Sequence, residues 1–164
     1  MKIITRLAAA SVLALTLGTF TPATIASADY KCYDFKDSEK EFAQKINNSR
    51  SNHGEGNLRL DKQLSRVARR HTWEMKDKRT LYHTPSSILR WRVTNWNRLG
   101  ENVGYGGDVG SLHQAFMDSP AHRANVLGNF RHVGIGVKTD GNIMWVTIIF
   151  EDHRDPGTRM KVCR

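Results

Sequence analysis

The chain has 164 residues and a formal net charge of +9, and both values limit what it can be. This length suits one domain built around one core. The positive charge favours anionic surfaces, but the basic stretches lack the interleaved aromatic residues typical of a nucleic-acid-binding face. We therefore expect no nucleic acid as a partner; if the protein is exported, the anionic surfaces that it meets are wall polymers or acidic lipid head groups. For the basic residues of 66–79 themselves we favour an ordinary solvated helix face, because acids are interspersed among them.

The first residues have the layout of an export signal. Lys2 and Arg6 precede an apolar run over 7–17, and the small residues Ala26-Ser27-Ala28 follow it. The run of about 11 residues is well short of the roughly 20 needed to cross a bilayer. We predict that residues 1–28 are a signal peptide that is removed, that the chain has no transmembrane anchor, and that the protein is secreted and extracellular.

The remaining residues, 29–164, are predicted to form a single domain closed by a disulfide. Cys32 and Cys163 lie at the two ends of this segment, and disulfides persist outside the cytoplasm. A loop of this size disfavours the unfolded chain by roughly 4 to 5 kcal/mol if the effect is entropic. The alternative is a metal site with two thiolates, for which neither cysteine has a nearby cysteine or histidine partner in sequence.

Two amphipathic helices are predicted in the first half of this domain. Ser38 and Glu41 have the spacing of a capping box that begins the first helix. Asp61 is a good N-cap for the second, which has an apolar stripe with helical spacing. The stripe consists of Leu64, Val67, Ala68, His71 and Met75. Because His71 belongs to this stripe, we interpret it as a core residue and not as a ligand.

The next segments are a region without a clear pattern and two further helices. Residues 84–98 are irregular and rich in tryptophan, so they receive no assignment. A third helix is predicted over about 108–117 from its apolar face. Ser119 and Pro120 are typical of an N-cap and a first helical position, and Gly128 of a helix end. This arrangement places His122 in the first turn of a short helix.

The C-terminal part is predicted to form a β-hairpin. Alternating apolar residues over Val133–Val137 and the apolar run Ile143–Phe150 flank a two-residue turn at Asp140-Gly141. Helices followed by a hairpin indicate an α+β domain whose helices cover an antiparallel sheet. The second strand should be central because both of its faces are apolar, which predicts a three-layer α-β-α sandwich with a central antiparallel sheet.

Several well-known chemical signatures are excluded. The three glycines Gly104, Gly106 and Gly110 resemble a dinucleotide fingerprint, but their spacing is one residue too long, so we interpret this segment as a loop. Asp118, Ser119 and His122 are triad residue types, but they lie too close together in sequence to indicate a relay. The sequence has neither a His-Glu-x-x-His helix nor a Cys-x-x-Cys pair. We assign no catalytic residue.

Three motifs remain, and each contains a residue able to contribute to a site. They are Tyr82-His83-Thr84-Pro85, Gly100-Glu101-Asn102-Val103 and 119–127, whose sequence is SPAHRANVL. In this order, and followed by a Val-Gly-Ile-Gly-Val strand, they resemble the bacterial branch of the CAP superfamily, also called SCP/PR-1-like after cysteine-rich secretory, antigen 5 and pathogenesis-related 1 proteins. The resemblance covers roughly residues 41–150.

The resemblance implies an α-β-α sandwich in which His83, Glu101 and His122 line a ligand cleft. In many relatives a second acid completes the cleft, and some relatives bind a divalent metal there. This chain has Asp118 near the position of that acid. Two histidines and a carboxylate suit zinc or another divalent cation, with His83 and His122 as candidate ligands. The alternative is that Glu101 accepts hydrogen bonds from the imidazoles without an ion.

Three functions from different classes are consistent with this pattern. We favour a secreted binding module that engages an anionic envelope component or a lipid, and expect that the protein is not an enzyme. The second is a metal-assisted hydrolase acting on peptide or cell-wall material. The third is a rigid interaction protein whose cleft residues are structural. A fold alone does not decide among them, because function resides in the site.

Overall fold

A computed structural model describes residues 33–154 of the chain. Its helices are α1 (Asp37–Asn52), α2 (Lys62–Lys78), α3 (Ser86–Arg92), α4 (Val109–Asp118) and α5 (Pro120–Val126). Its strands are β1 (Arg59–Leu60), β2 (Leu99–Gly106), β3 (His132–Asp140) and β4 (Ile143–Glu151). The predicted signal peptide and the predicted disulfide between Cys32 and Cys163 lie outside the described residues, so both stay predictions. No helix within residues 33–154 is long and apolar enough to cross a membrane.

The strands form one sheet in the order β1-β3-β4-β2. β4 pairs antiparallel with both β3 and β2, which confirms that this apolar strand is central. β1 departs from the prediction, because its two residues run parallel to β3. The sheet is therefore mixed, although its three long strands are antiparallel. The two-residue turn between β3 and β4 is Gly141-Asn142, one residue later than predicted, and Gly141 has a φ of 57° that suits glycine.

Helices cover both faces of the sheet, which confirms the three-layer α+β sandwich. On one face, side chains of α1, α4 and α5 pack against alternate residues of β3 and β4. On the other face, α2 and α3 pack against Ile149 of β4, and Met75 of α2 packs against Val103 and Trp145. The layers bury apolar surface that no single helix could bury alone.

The helix ends follow the predicted signals with two exceptions. The Asp61 carboxylate accepts a hydrogen bond from the Leu64 N–H at 2.9 Å and begins α2 as predicted. α1 begins earlier than predicted, because Glu39, and not Glu41, accepts a bond from the Lys36 N–H. Ser119 precedes α5, but its side chain makes no capping bond. The buried Arg50 guanidinium binds the other end of α5 through the Val126 carbonyl, at 2.8 Å.

Three elements, the two-residue β1, α3 and β2, were not predicted. α3 lies in the segment that received no assignment, and Leu89 attaches it to α2. Gly104 and Gly106 lie in β2, so the prediction that the segment containing them is a loop was wrong for these two residues. A β-carbon at either glycine would come within 3.0 Å of Phe116 or Leu112 on α4. The glycines are thus present because α4 lies close to this strand, and not because the chain turns there.

α2 lies unusually close to β3, and two glycines make this possible. A β-carbon at Gly134 would overlap Leu64, and one at Gly136 would overlap the backbone of Arg69. Polar contacts tie the same two elements together: the Ile135 N–H donates to Ser65 at 3.0 Å, and the Thr72 hydroxyl donates to the Gly136 carbonyl at 2.9 Å. Backbone meets backbone here without an intervening side-chain layer.

The close approach predicts the effect of one added methyl group. Gly136→Ala should lower the free energy of unfolding by about 3 kcal/mol, at the upper end of overpacking costs, because backbone atoms of α2 cannot move aside cheaply. Gly107→Ala is the matched control, since no atom lies within 4 Å of a β-carbon there. Urea unfolding of both variants is the measurement. Equal stabilities for the two variants would contradict the packing described here.

Candidate functional site

The three predicted site residues come from three different elements beside the outer edge of β2. His83 lies in the segment between α2 and α3, Glu101 lies in β2, and His122 lies in the first turn of α5. β2 is at one end of the strand order, so it has β4 on one side only. The candidate site residues therefore lie along the edge strand of the sheet, with contributions from both sides of it.

Glu101 connects β2 to the segment that carries His83. One carboxylate oxygen, Oε2, accepts hydrogen bonds from the Thr84 N–H and from Nδ1 of His83, both at 2.9 Å. The other oxygen, Oε1, accepts a bond from the Thr84 hydroxyl at 2.6 Å. Both oxygens of this buried side chain are therefore occupied, and the carboxylate acts as a clamp on residues 83 and 84.

His83 is held at its Nδ1 side while much of its ring stays in contact with solvent. Its side chain is 58% exposed. Next to it, Nε2 of the buried His71 donates to the Tyr82 carbonyl at 2.7 Å. This bond confirms that His71 is a core residue, and it fixes the backbone immediately before His83. The Nδ1 bond to Glu101 leaves Nε2 of His83 as the atom available to a ligand.

Two asparagines, which the sequence analysis did not single out, position His122. The Asn102 amide donates to the His122 carbonyl at 3.0 Å. The Asn125 amide donates to the Asn102 side-chain oxygen at 2.8 Å and to the Glu101 carbonyl at 3.2 Å. Both residues lie in the motifs that carry Glu101 and His122, so the signal was present although their role was not visible. The Asn102–Asn125 pair thus holds α5 on β2.

The His122 ring is partly buried and is electrostatically coupled to His83. It packs edge-on against Phe116, with 5.2 Å between the ring centroids. Burial lowers the pKa of His122 below its usual value, and the charge of His83 lowers it further. A positive charge on one imidazole disfavours a positive charge on the other. At neutral pH His122 is therefore uncharged, and its ring nitrogens can donate or accept.

The residues at the site do not match the ligand set of a catalytic zinc centre. Such centres use three protein ligands and leave one position open. Within residues 33–154, no group of three His, Cys, Asp or Glu side chains is arranged to hold a metal ion. Glu101 already accepts three hydrogen bonds from Thr84 and His83, so the two imidazoles are the side chains with most of their capacity free for a ligand. Asp118, the candidate second acid, is exposed and accepts a bond from Gln114 at 2.8 Å.

Comparisons with known proteins agree with the fold and with the motifs. A family model described as "CAP: Cysteine-rich secretory protein family" matches residues 43–150. The uncharacterized protein YkwD of Bacillus subtilis (strain 168) is 31% identical over 113 residues, which cover 64% of this chain and 44% of YkwD. The match thus spans less than half of the length of that relative.

Solved structures show the same architecture. An outer surface protein from Borrelia burgdorferi superposes with a TM-score of 0.66 at 21% identity, over 75% of this chain and 98% of its own. An extracellular protein containing a SCP domain from Bacillus anthracis superposes with a TM-score of 0.63 at 25% identity, over 70% of this chain and 40% of its own. Since the family match covers well over half of the sequence, this protein belongs to the CAP, or cysteine-rich secretory protein, family.

Proposed function

We propose that this protein is an extracellular binding module that engages an anionic component of the cell envelope through the cleft formed by His83, Glu101 and His122. The observation that carries the proposal is the bonding of Glu101. Three hydrogen bonds occupy its two oxygens, so the carboxylate orients its neighbours and leaves ligand contacts to the two imidazoles.

The same bonding argues against the two other classes of function. A hydrolase needs a base within hydrogen-bond reach of the water that it activates. Glu101 already accepts three hydrogen bonds and Asp118 accepts one from Gln114, so neither acid is free for that role and only an imidazole could take it. A purely structural cluster would bury its polar groups against one another. His83 instead exposes more than half of its side chain, which suits contact with a partner.

Charge and likeness to other proteins support an anionic partner outside the cell. The full chain has a formal net charge of +9, and removal of Lys2 and Arg6 with the predicted signal peptide leaves +7 (9 − 2), which favours negatively charged polymers or lipid head groups. The relative from Bacillus anthracis is described as extracellular, and the predicted export signal agrees with that location. Wall polymers and acidic lipids share the negative charge that the protein would recognise, and an experiment can separate them.

Binding to two probes tests the proposal. Purified protein should sediment with peptidoglycan sacculi or with phosphatidylglycerol vesicles, and not with phosphatidylcholine vesicles. His83→Ala and His122→Ala should each weaken binding about tenfold, the effect of one lost hydrogen bond of roughly 1.4 kcal/mol. His53→Ala is the control, because His53 is exposed beyond the end of α1.

The outcome separates the alternatives for this cleft. Binding that survives in EDTA agrees with a site formed by side chains alone. Equal binding by the wild type and both cleft variants would contradict the proposal, and wall material degraded by the wild type and not by His122→Ala would favour the hydrolase.

The protonation state of His122 gives a second test. Because its folded-state pKa lies below the ordinary histidine value, the unfolded chain takes up this proton first as the pH falls. Stability from this residue is therefore complete above about pH 6.5 and is lost as the pH falls toward the folded-state pKa. Between pH 7.5 and 5.0, the wild type should lose more unfolding free energy than His122→Gln, as measured by urea denaturation.

That comparison isolates one histidine from the others. Burial also lowers the pKa of His113 and of His132, and burial raises the pKa of Glu151 to about 7, but these residues are present in both proteins. A variant that follows the same pH dependence as the wild type would show that His122 is not buried as described.

Secretion carries its own prediction about the cysteines. We expect Cys32 and Cys163 to be bonded in secreted protein, because they lie at the ends of the predicted domain and the compartment is oxidising. Peptide mapping without reductant should recover one cross-linked peptide pair, and reduction should lower the melting temperature. Two free thiols in secreted material would exclude the disulfide.

A further inference from the structure

A groove of about 640 Å³ lies next to the far end of β2, away from the histidine cleft. The end of α2 and the segment after it form one wall, and the β3–β4 hairpin forms the other. The groove is lined mainly by Arg79, Leu81, Tyr105, Asp140, Ile143 and Trp145. None of the three cleft residues contributes to it, so this is a separate candidate site.

The floor of the groove is an aromatic platform. Tyr105 and Trp145 are register partners on β2 and β4, and their rings stack with centroids 5.0 Å apart and an angle of 29°. Trp145 is only 6% exposed, whereas Tyr105 is 55% exposed. One face of the Tyr105 ring thus rests on Trp145, and the opposite face is open to solvent. Leu81 and Ile143, which are also exposed, flank it.

A pair of opposite charges lies at the rim of this platform. The Arg79 guanidinium and the Asp140 carboxylate are 4.0 Å apart, and their side chains are 83% and 47% exposed. At that distance they attract each other without forming a hydrogen bond. Both groups therefore keep donors and acceptors for a ligand. The backbone of Arg79 is fixed, because it ends α2 in the left-handed region at φ 50° with its N–H bonded to helix carbonyls.

We infer that this groove is a carbohydrate subsite that binds a neutral pyranose ring of a glycan. One face of such a ring carries C–H groups, which are attracted to the electron-rich face of an aromatic ring. Its edge carries hydroxyl groups that can donate to the Asp140 carboxylate and accept from Arg79. The groove offers both features side by side, with an open aromatic face and a charged pair at its rim.

The charge of the groove decides between a glycan and other occupants. Its lining has one cation and one anion, so it is neutral in a chain of net charge +9, and a neutral ligand complements it better than an anionic one. An acyl chain would cover Arg79 and Asp140 without giving them hydrogen bonds, which carries a desolvation cost. A sugar hydroxyl gives each of them a partner.

The inference goes beyond the proposed function, because the groove and the cleft are distinct. Glu101 and Tyr105 lie on the same face of β2, since they are four residues apart in a strand, about 13 Å at 3.3 to 3.4 Å per residue. The groove can therefore bind a sugar even if the cleft binds nothing.

Titration with neutral oligosaccharides tests the subsite. The probes are the tetrasaccharides of β-linked glucose and β-linked N-acetylglucosamine, added to the full chain and followed by calorimetry and by amide chemical shifts. We expect at least one probe to bind and to shift the signals of Tyr105 and of the β3–β4 turn. Tyr105→Ala should weaken binding at least tenfold, Tyr105→Phe should preserve it, and Asp140→Asn should weaken it several-fold.

Two controls keep the test specific. Trp73→Ala removes another exposed aromatic side chain, which lies on α2 outside the groove lining, and should leave sugar binding unchanged. His122→Ala should also leave it unchanged, so failure of the cleft proposal would not imitate failure of this one. Thermal melting of each variant shows that the fold is retained.

Several results would overturn the inference. Failure of both tetrasaccharides to bind at millimolar concentration would do so, as would equal affinity in the wild type and Tyr105→Ala. Loss of affinity in Trp73→Ala as large as that in Tyr105→Ala would also overturn it. Phosphatidylglycerol vesicles that bind the wild type and not Tyr105→Ala, with no sugar binding, would assign the groove to a lipid instead.

Discussion

The contact between α2 and β3 is the constraint on which the rest of the structure depends. Gly134 and Gly136 allow the helix backbone to rest directly on the strand. Thr72 then reaches both the Gly136 carbonyl and the hydroxyl of Thr147 on the central strand, each at 2.9 Å. Buried polar groups require hydrogen-bond partners. The Thr72 hydroxyl finds them only because the α2 backbone lies this close to the sheet. The position of α2 along the sheet is thereby determined.

The site follows from that position. His71 of α2 donates a hydrogen bond to the Tyr82 carbonyl. The next two residues, 83 and 84, then donate hydrogen bonds to the Glu101 carboxylate on β2. On the opposite layer, Arg50 of α1 holds the end of α5, and the Asn102–Asn125 pair holds α5 on β2. His83 and His122 therefore come from opposite sides of the sheet, and each is bonded to the same edge strand, β2.

The parts of the fold with regular periodicity could be predicted from the sequence, and those that depend on distant contacts could not. α2 has a complete apolar stripe and β4 has two apolar faces, so each pattern identified its element. β2 has glycines where α4 approaches it, and a glycine required by packing looks like one required by a turn. Glu39 takes the capping role that was predicted for Glu41. Arg69, thirty residues away in sequence, donates to its carboxylate at 2.6 Å, and local sequence gives no sign of that contact.

The same division applies to the site. His83, Glu101 and His122 were identified because the motifs contain them, but their partners were not. Threonine and asparagine are common in turns and helix caps. Local sequence therefore gave no sign that Thr84, Asn102 and Asn125 have a role in the site. Their hydrogen bonds join residues 17 to 24 positions apart, and such bonds become visible only once the sheet order is known. The second acid expected in the cleft is a further case that local sequence could not decide. Asp118 is at the expected place in the sequence, but its carboxylate accepts a hydrogen bond from Gln114 on its own helix.

The central place of β4 has a consequence for how the chain folds. β4 is the last described strand in sequence, yet β2 pairs with it alone and β3 pairs with it along its whole length. A growing chain that has not reached residues 143–151 can form helices, but β2 has no strand to pair with. Long-range pairing of this kind delays folding until the partner is available. The sheet therefore cannot form before residues 143–151 have been synthesised, and until then the apolar faces of the helices lack the surface against which they pack.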